Sequence, residues 1–194
     1  PGFIVNRILT PYLVEAMTMM DEGIAPETID RAAMDFGMPM GPLELADQVG
    51  LDIGLAVADM LKRELDWPMP ATPIWLHDRV SAGHLGAKSG KGIYAWQDGH
   101  AVRNSAAPPA PDMADRLIMP MLNMAVAVLR EKVTDDPDII DAAMIFGTGF
   151  APFRGGPLHY ARARGVGEVK AVLEGLREAH GERFRPDPGW DMLQ

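Results

Sequence analysis

This chain carries one helical pattern twice. The apolar positions Ile8, Leu9, Tyr12, Leu13, Ala16, Met17 and Met20 reappear, after a constant shift of 109, as Leu117, Ile118, Met121, Leu122, Ala125, Val126 and Leu129. Pro11 falls on Pro120 and Arg7 on Arg116. Ile29-Asp30-Arg31-Ala32 then pairs with Ile140-Asp141-Ala142-Ala143, Phe36-Gly37 with Phe146-Gly147, and both copies reach a Gly-Pro-Leu step at residues 41–43 and 156–158. A duplicated helical unit buries its apolar faces against its own copy, as the two subunits of a dimer would. The predicted fold class is therefore all-α, with two pseudo-symmetric helical units packed as an internal dimer.

The periodicity and the breaker residues divide the chain further. A first helix is predicted from Asn6 to Glu22 and stopped by Gly23. Pro26 and Pro42 suit first helical positions and open helices running to Phe36 and Gly50. A fourth helix is predicted over Leu51–Leu65, and Thr72-Pro73 reads as a cap plus proline opening a short helix to Ser81. Residues 83–99 are rich in Gly and Lys and read as a loop with a short extended piece. Asn104–Pro111 (Asn-Ser-Ala-Ala-Pro-Pro-Ala-Pro) is the linker candidate. The resulting domains are 1–103, linker 104–111, and 112–194. In the second, Asp136-Pro137 repeats the cap signal, a last helix spans Val166–His180, and the tail from Phe184 is expected to be irregular.

Composition excludes several functions. The net charge of −9 without a basic cluster argues against nucleic acid or an anionic membrane as the main partner. The absence of cysteine removes disulfides, thiol catalysis and Cys-ligated zinc. No apolar run approaches the roughly 20 residues of a membrane span. No targeting segment is visible, the tail Asp191-Met192-Leu193-Gln194 is not a peroxisomal signal, and the expected compartment is the cytoplasm. A start at Pro1 inside motif-rich sequence reads as a piece of a longer polypeptide.

Most familiar chemistry fails too. Gly147-Thr148-Gly149-Phe150-Ala151-Pro152 imitates a dinucleotide loop but follows a helix and ends in proline, and Gly86–Gly92 has the wrong spacing for a phosphate loop. The five histidines form no metal-ligand pair with an acid, and none of the three serines sits in a nucleophile turn. The 14 methionines read as core and helix–helix interface.

Three ordered blocks rise above this background. Pro1-Gly2-Phe3-Ile4-Val5-Asn6-Arg7 resembles the Gly-Phe-x-x-Asn-Arg signature that opens the C-terminal domain of the 3-hydroxyacyl-CoA dehydrogenases. The stretch from Gly37 to Asp52 is similar to that family's Pro-Met-Gly-Pro block, and Gly86–Tyr94 to its Lys-x-Gly-x-Gly-Phe-Tyr loop. The tandem copy resembles the multifunctional fatty acid oxidation α-subunits. The resemblance implies helical domains like the C-terminal domain of 6-phosphogluconate dehydrogenase. It also implies an NAD-dependent L-3-hydroxyacyl-CoA dehydrogenase of β-oxidation whose Rossmann domain and catalytic His–Glu pair lie upstream. A hydratase domain and a thiolase β-subunit are the implied companions, and a 3-hydroxyacyl-CoA or 3-ketoacyl-CoA is the implied substrate.

The resemblance assigns site residues one by one. Asn6 matches the family's substrate-contacting Asn, although Asn is equally a favoured N-cap. Phe146 falls where multifunctional relatives place a substrate-side Tyr, keeping the ring without the hydroxyl. Asp115 replaces Asn6 in the second copy and would repel a polarised carbonyl, so one working site per chain is expected. Lys88 and Lys91 are candidates for CoA phosphates or for a solvated loop; the latter is the simpler reading. No catalytic, cofactor-binding or metal-binding residue is assigned within the chain, and the chain alone is expected not to reduce acetoacetyl-CoA with NADH. The competing readings are a stand-alone helical binding or assembly module and a dehydrogenase acting on other short-chain hydroxyacids.

Overall fold

The computed structural model describes residues 3–193. The first two residues of the opening motif lie outside them. The first unit comprises α1 (Phe3–Asp21), α2 (Pro26–Phe36), α3 (Pro42–Val49), α4 (Leu51–Glu64) and α5 (Ile74–Ser81). A small antiparallel hairpin follows, β1 (Ala95–Gln97) and β2 (His100–Val102), with Trp96 opposite Ala101. The second unit comprises α6 (Met113–Arg130), α7 (Pro137–Thr148), α8 (Pro157–Arg164) and α9 (Val166–His180), closed by 3₁₀ turns at Glu182–Phe184 and Pro188–Leu193.

The two units meet along α1 and α6, the most extensively packed helix pair in the molecule. The helices run antiparallel, because the start of each is ion-paired with the end of the other. Arg7 donates to Glu131 at 2.6 Å, and Arg116 to both oxygens of Glu22 at 2.7 Å. The shift of 109 carries Arg7 onto Arg116 and Glu22 onto Glu131. This reciprocity, in which i meets j and j meets i, is the signature of an isologous two-fold interface. Pro11 and Pro120 line one small cleft between the units. Each removes the helical bond to the carbonyl four residues back, which is that of Arg7 or Arg116.

A second repeated device ties the helices within each unit. Asp30 on α2 accepts the backbone N–H groups of Leu43 and Glu44, at 2.8 and 3.1 Å, and Asp141 on α7 accepts those of Leu158 and His159, at 2.7 and 2.9 Å. Each carboxylate thus caps the first turn of the next helix, where free donors and the helix dipole favour negative charge. A Cβ at Gly41 would collide with Asp30, and one at Gly156 with Asp141. The glycine of each Gly-Pro-Leu step is therefore fixed by that close approach.

Three local expectations need correction. α1 begins at Phe3, so Asn6 stands inside the first turn and is not its cap. Thr72 does not cap α5; its hydroxyl meets His77 Nε2 at 2.9 Å while Pro73 takes the cap position. The Phe36/Phe146 pairing also fails. Counting from Pro26 and Pro137, Phe36 falls on Gly147, and α7, one residue longer than α2, ends at Thr148 with Gly149 as its cap. Phe36 is buried and meets Phe150 edge-on at 5.8 Å, whereas Phe146 is 88% exposed.

The tail departs furthest from expectation. Phe184 and Trp190 are completely buried and Leu193 is buried. Trp190 Nε1 donates to Asn123 Oδ1 at 2.8 Å, the same oxygen accepts from Asp187 N at 2.8 Å, and Asn123 Nδ2 donates to the Arg185 carbonyl at 2.8 Å. Arg130 pairs with Asp187 through both carboxylate oxygens, at 2.8 and 3.0 Å. The tail is thus a packed part of the second unit.

Candidate functional site

α1, α3, α4 and the start of α5 enclose an apolar groove with Asn6 among its lining residues. The helical period puts Leu9, Leu13 and Met17 on one face of α1, turned toward Val49 of α3 and Ile53 and Val57 of α4. Val49 and Ile53, on its rim, are exposed. The cavity volume is about 100 Å³.

Asn6, an exposed residue, is the polar group of this groove whose side chain has no hydrogen-bond partner among the described residues. Its backbone carbonyl accepts from the Thr10 hydroxyl at 2.7 Å, while its side chain makes no hydrogen bond among the described residues. The other polar lining groups are engaged, Thr10 with that carbonyl and Thr72 with His77. An amide can donate to a ligand oxygen, and its place in the first turn of a 19-residue helix adds positive potential from the dipole.

The corresponding place in the second unit is closed. Asp115, the counterpart of Asn6, pairs with Arg164 at 2.5 and 2.9 Å. Counting from the Gly-Pro-Leu steps, Arg164 is the counterpart of the groove residue Val49. Val14 and Met17 of the open groove have Asn123 and Val126 as counterparts, and these are the residues that the tail covers.

The remaining candidates lie apart. Phe146 does not line the groove. It precedes Gly147, whose Cβ position lies 2.9 Å from Val5, so Phe146 stands near the start of α1. Lys88 is committed to both oxygens of Asp52, at 2.6 and 2.8 Å, and holds that carboxyl below the usual range; Lys91 is exposed.

The Gly- and Lys-rich loop is a structural clasp, which was not evident from its composition. Asp47 accepts from Ile93 N, Tyr94 N and Trp96 Nε1 at 2.8–2.9 Å, and a Cβ at Gly86 or Gly92 would collide with Asp47. The Tyr94 hydroxyl donates to Asp30 Oδ2 at 2.8 Å, and burial together with that carboxylate pushes its pKa up. Asp30 itself is pushed up to about 6 by burial, against the Leu43 N–H and the Tyr94 hydroxyl. Buried carboxylates often mark active sites. These two saturate their oxygens on backbone and ring donors and do not line the groove.

Among the described residues no His, Asp and Glu cluster could hold a metal ion, and no helix is long and apolar enough to cross a membrane. The described β structure is one antiparallel hairpin and two isolated antiparallel bridges, Gly86 with Lys91 and Lys91 with Ala95. A Rossmann-type dinucleotide site needs a strand–turn–helix crossover. No such unit is present among the described residues, so they do not form a Rossmann-type NAD site.

Comparison with known proteins agrees with this architecture. The family model for the 3-hydroxyacyl-CoA dehydrogenase C-terminal domain matches residues 2–96 and 113–193. A 3-hydroxybutyryl-CoA dehydrogenase from Escherichia coli K12 superposes with a TM-score of 0.81 at 26% identity, covering 99% of this chain and 59% of its own. The dehydrogenase part of multifunctional enzyme 1 from C. elegans superposes with a TM-score of 0.70 at 18% identity, covering 97% of this chain and 47% of its own. At that identity it speaks for the fold alone. The chain thus spans about half the length of these two structures.

Proposed function

The chain belongs to the 3-hydroxyacyl-CoA dehydrogenase C-terminal domain family, and on that premise we propose that it is the substrate-binding portion of an NAD-dependent L-3-hydroxyacyl-CoA dehydrogenase of fatty acid β-oxidation. NAD supplies the hydride chemistry when bound, and this reading assigns it, with the catalytic His–Glu pair, to a domain outside the chain. The chain alone then has no turnover with acetoacetyl-CoA and NADH. The observation that carries the reading is the Asn6 amide, unpartnered among the described residues, beside a mostly apolar groove. There the amide donates to the C3 oxygen of the substrate as a carbonyl develops, and the groove takes the hydrocarbon side of the acyl group.

The second unit acts as a built-in dimer partner, since Asp115–Arg164 and the tail occupy its equivalent groove. In this reading Phe146 offers an apolar ring to the substrate side, and the parent protein is multifunctional, with a hydratase domain and a thiolase partner. The test is Asn6→Ala in the enzyme that carries this chain with its dinucleotide domain. We expect kcat to fall by about 10²–10³-fold with the melting temperature retained. An unchanged kcat overturns the assignment.

A further inference from the structure

Gly54 has no local reason to be glycine. It lies inside α4, where glycine is among the least favourable residues, and a Cβ built there meets no atom within 4 Å. It does line the groove.

Its counterpart in the second unit supplies the contrast. Gly50 and Gly165 precede α4 and α9 with nearly the same backbone, φ 104°, ψ 125° and φ 101°, ψ 117°. Counting from them, Gly54 corresponds to Val169, which is fully buried. In that unit the groove is filled, with Trp190 bonded to Asn123 and the Gly189 backbone against Val126. The same architecture is full where valine stands and open where glycine stands.

Resting on the acyl-groove reading above, we propose that the groove selects medium-chain 3-hydroxyacyl thioesters and that Gly54 is the residue that admits their chain. An apolar cavity of about 150 Å³ holds benzene. On that scale the cavity of about 100 Å³ accepts about four carbons. With C3 held at Asn6, this corresponds to hexanoyl to octanoyl groups, whereas a butyryl group extends a single methyl beyond C3. The hydroxyls of Thr10 and Thr72 are engaged elsewhere, so the groove offers the chain no free polar partner beyond Asn6.

The test compares kcat/KM for 3-hydroxyoctanoyl-CoA and 3-hydroxybutyryl-CoA in the full-length enzyme and in Gly54→Ala and Gly54→Leu. Each buried methylene contributes roughly fourfold to binding. The wild type should favour octanoyl, and the octanoyl-to-butyryl ratio should fall a few-fold in Gly54→Ala and about 10- to 100-fold in Gly54→Leu. Gly54→Ala should also melt higher, because alanine is the better helix former, which separates groove filling from damage to the fold. A wild type that favours butyryl, or a ratio unchanged in both variants, overturns the inference. If Asn6→Ala still slows both substrates, that failure leaves the functional reading standing. If Asn6→Ala slows neither, the functional reading fails and this inference falls with it.

Discussion

Asp30 shows how much a single side chain can organise. It caps α3, anchors the Tyr94 hydroxyl and leaves Gly41 no room for a Cβ. Its position is costly in charge, because burial raises its pKa to about 6, and Asp141 is raised for the same reason. An unfolded aspartate titrates near 4. Between about pH 4 and 6 the folded chain therefore binds the additional proton. The stability linked to Asp30 is present in full below pH 4 and is lost as pH rises through 6. Two pKa units correspond to about 3 kcal/mol. In Asp30→Asn this dependence should disappear, so urea midpoints at pH 4 and pH 6.5 should converge relative to wild type. Parallel pH profiles in the two proteins would contradict it.

At the scale of elements, the α1–α6 seam combines reciprocal ion pairs with one asymmetric buried cluster. Glu15 is buried between Arg116, at 2.7 Å, and Arg183, at 2.6 Å, with only 2% of its side chain exposed. Removing one partner of a buried pair strands charge in a medium of low polarity. Arg116→Met should accordingly cost about 3–5 kcal/mol. Arg7→Met, whose partner Glu131 has 37% of its side chain exposed, should cost about 1 kcal/mol. Denaturant midpoints measure both, and equal losses would refute the distinction. The helices themselves were legible from apolar spacing and proline placement. The cluster was not, because Glu15 has the apolar Met124 as its counterpart and reads as an exposed residue within a buried pattern.

At the scale of the molecule, the tail gives the internal dimer its asymmetry. Phe184, Trp190 and Leu193 are separated by proline, glycine and charge without helical or strand period, so nothing local announces their burial. Their partner is a groove more than 60 residues away along the chain. Trp190→Ala should cost about 3–5 kcal/mol, the range for truncating a large buried ring. It should lower the melting temperature while leaving the open groove of the first unit in place. A melting temperature equal to that of wild type would show that the tail does not hold the second unit together.

What the sequence by itself determined is the all-α class, the duplication, the positions of the helices and the family. All of these are carried by short-range periods, by breaker residues and by contiguous motifs. Tertiary structure decided which of the two similar grooves stays open. That choice depends on Asp115 reaching Arg164 and on Trp190 reaching Asn123. It also decided that the Asn6 amide lines the groove without a partner among the described residues, and that the lysine-rich loop is a clasp on Asp47. The physical reason is the same in each case: burial and hydrogen bonding join residues far apart in the chain, and no local pattern encodes which partner will be there.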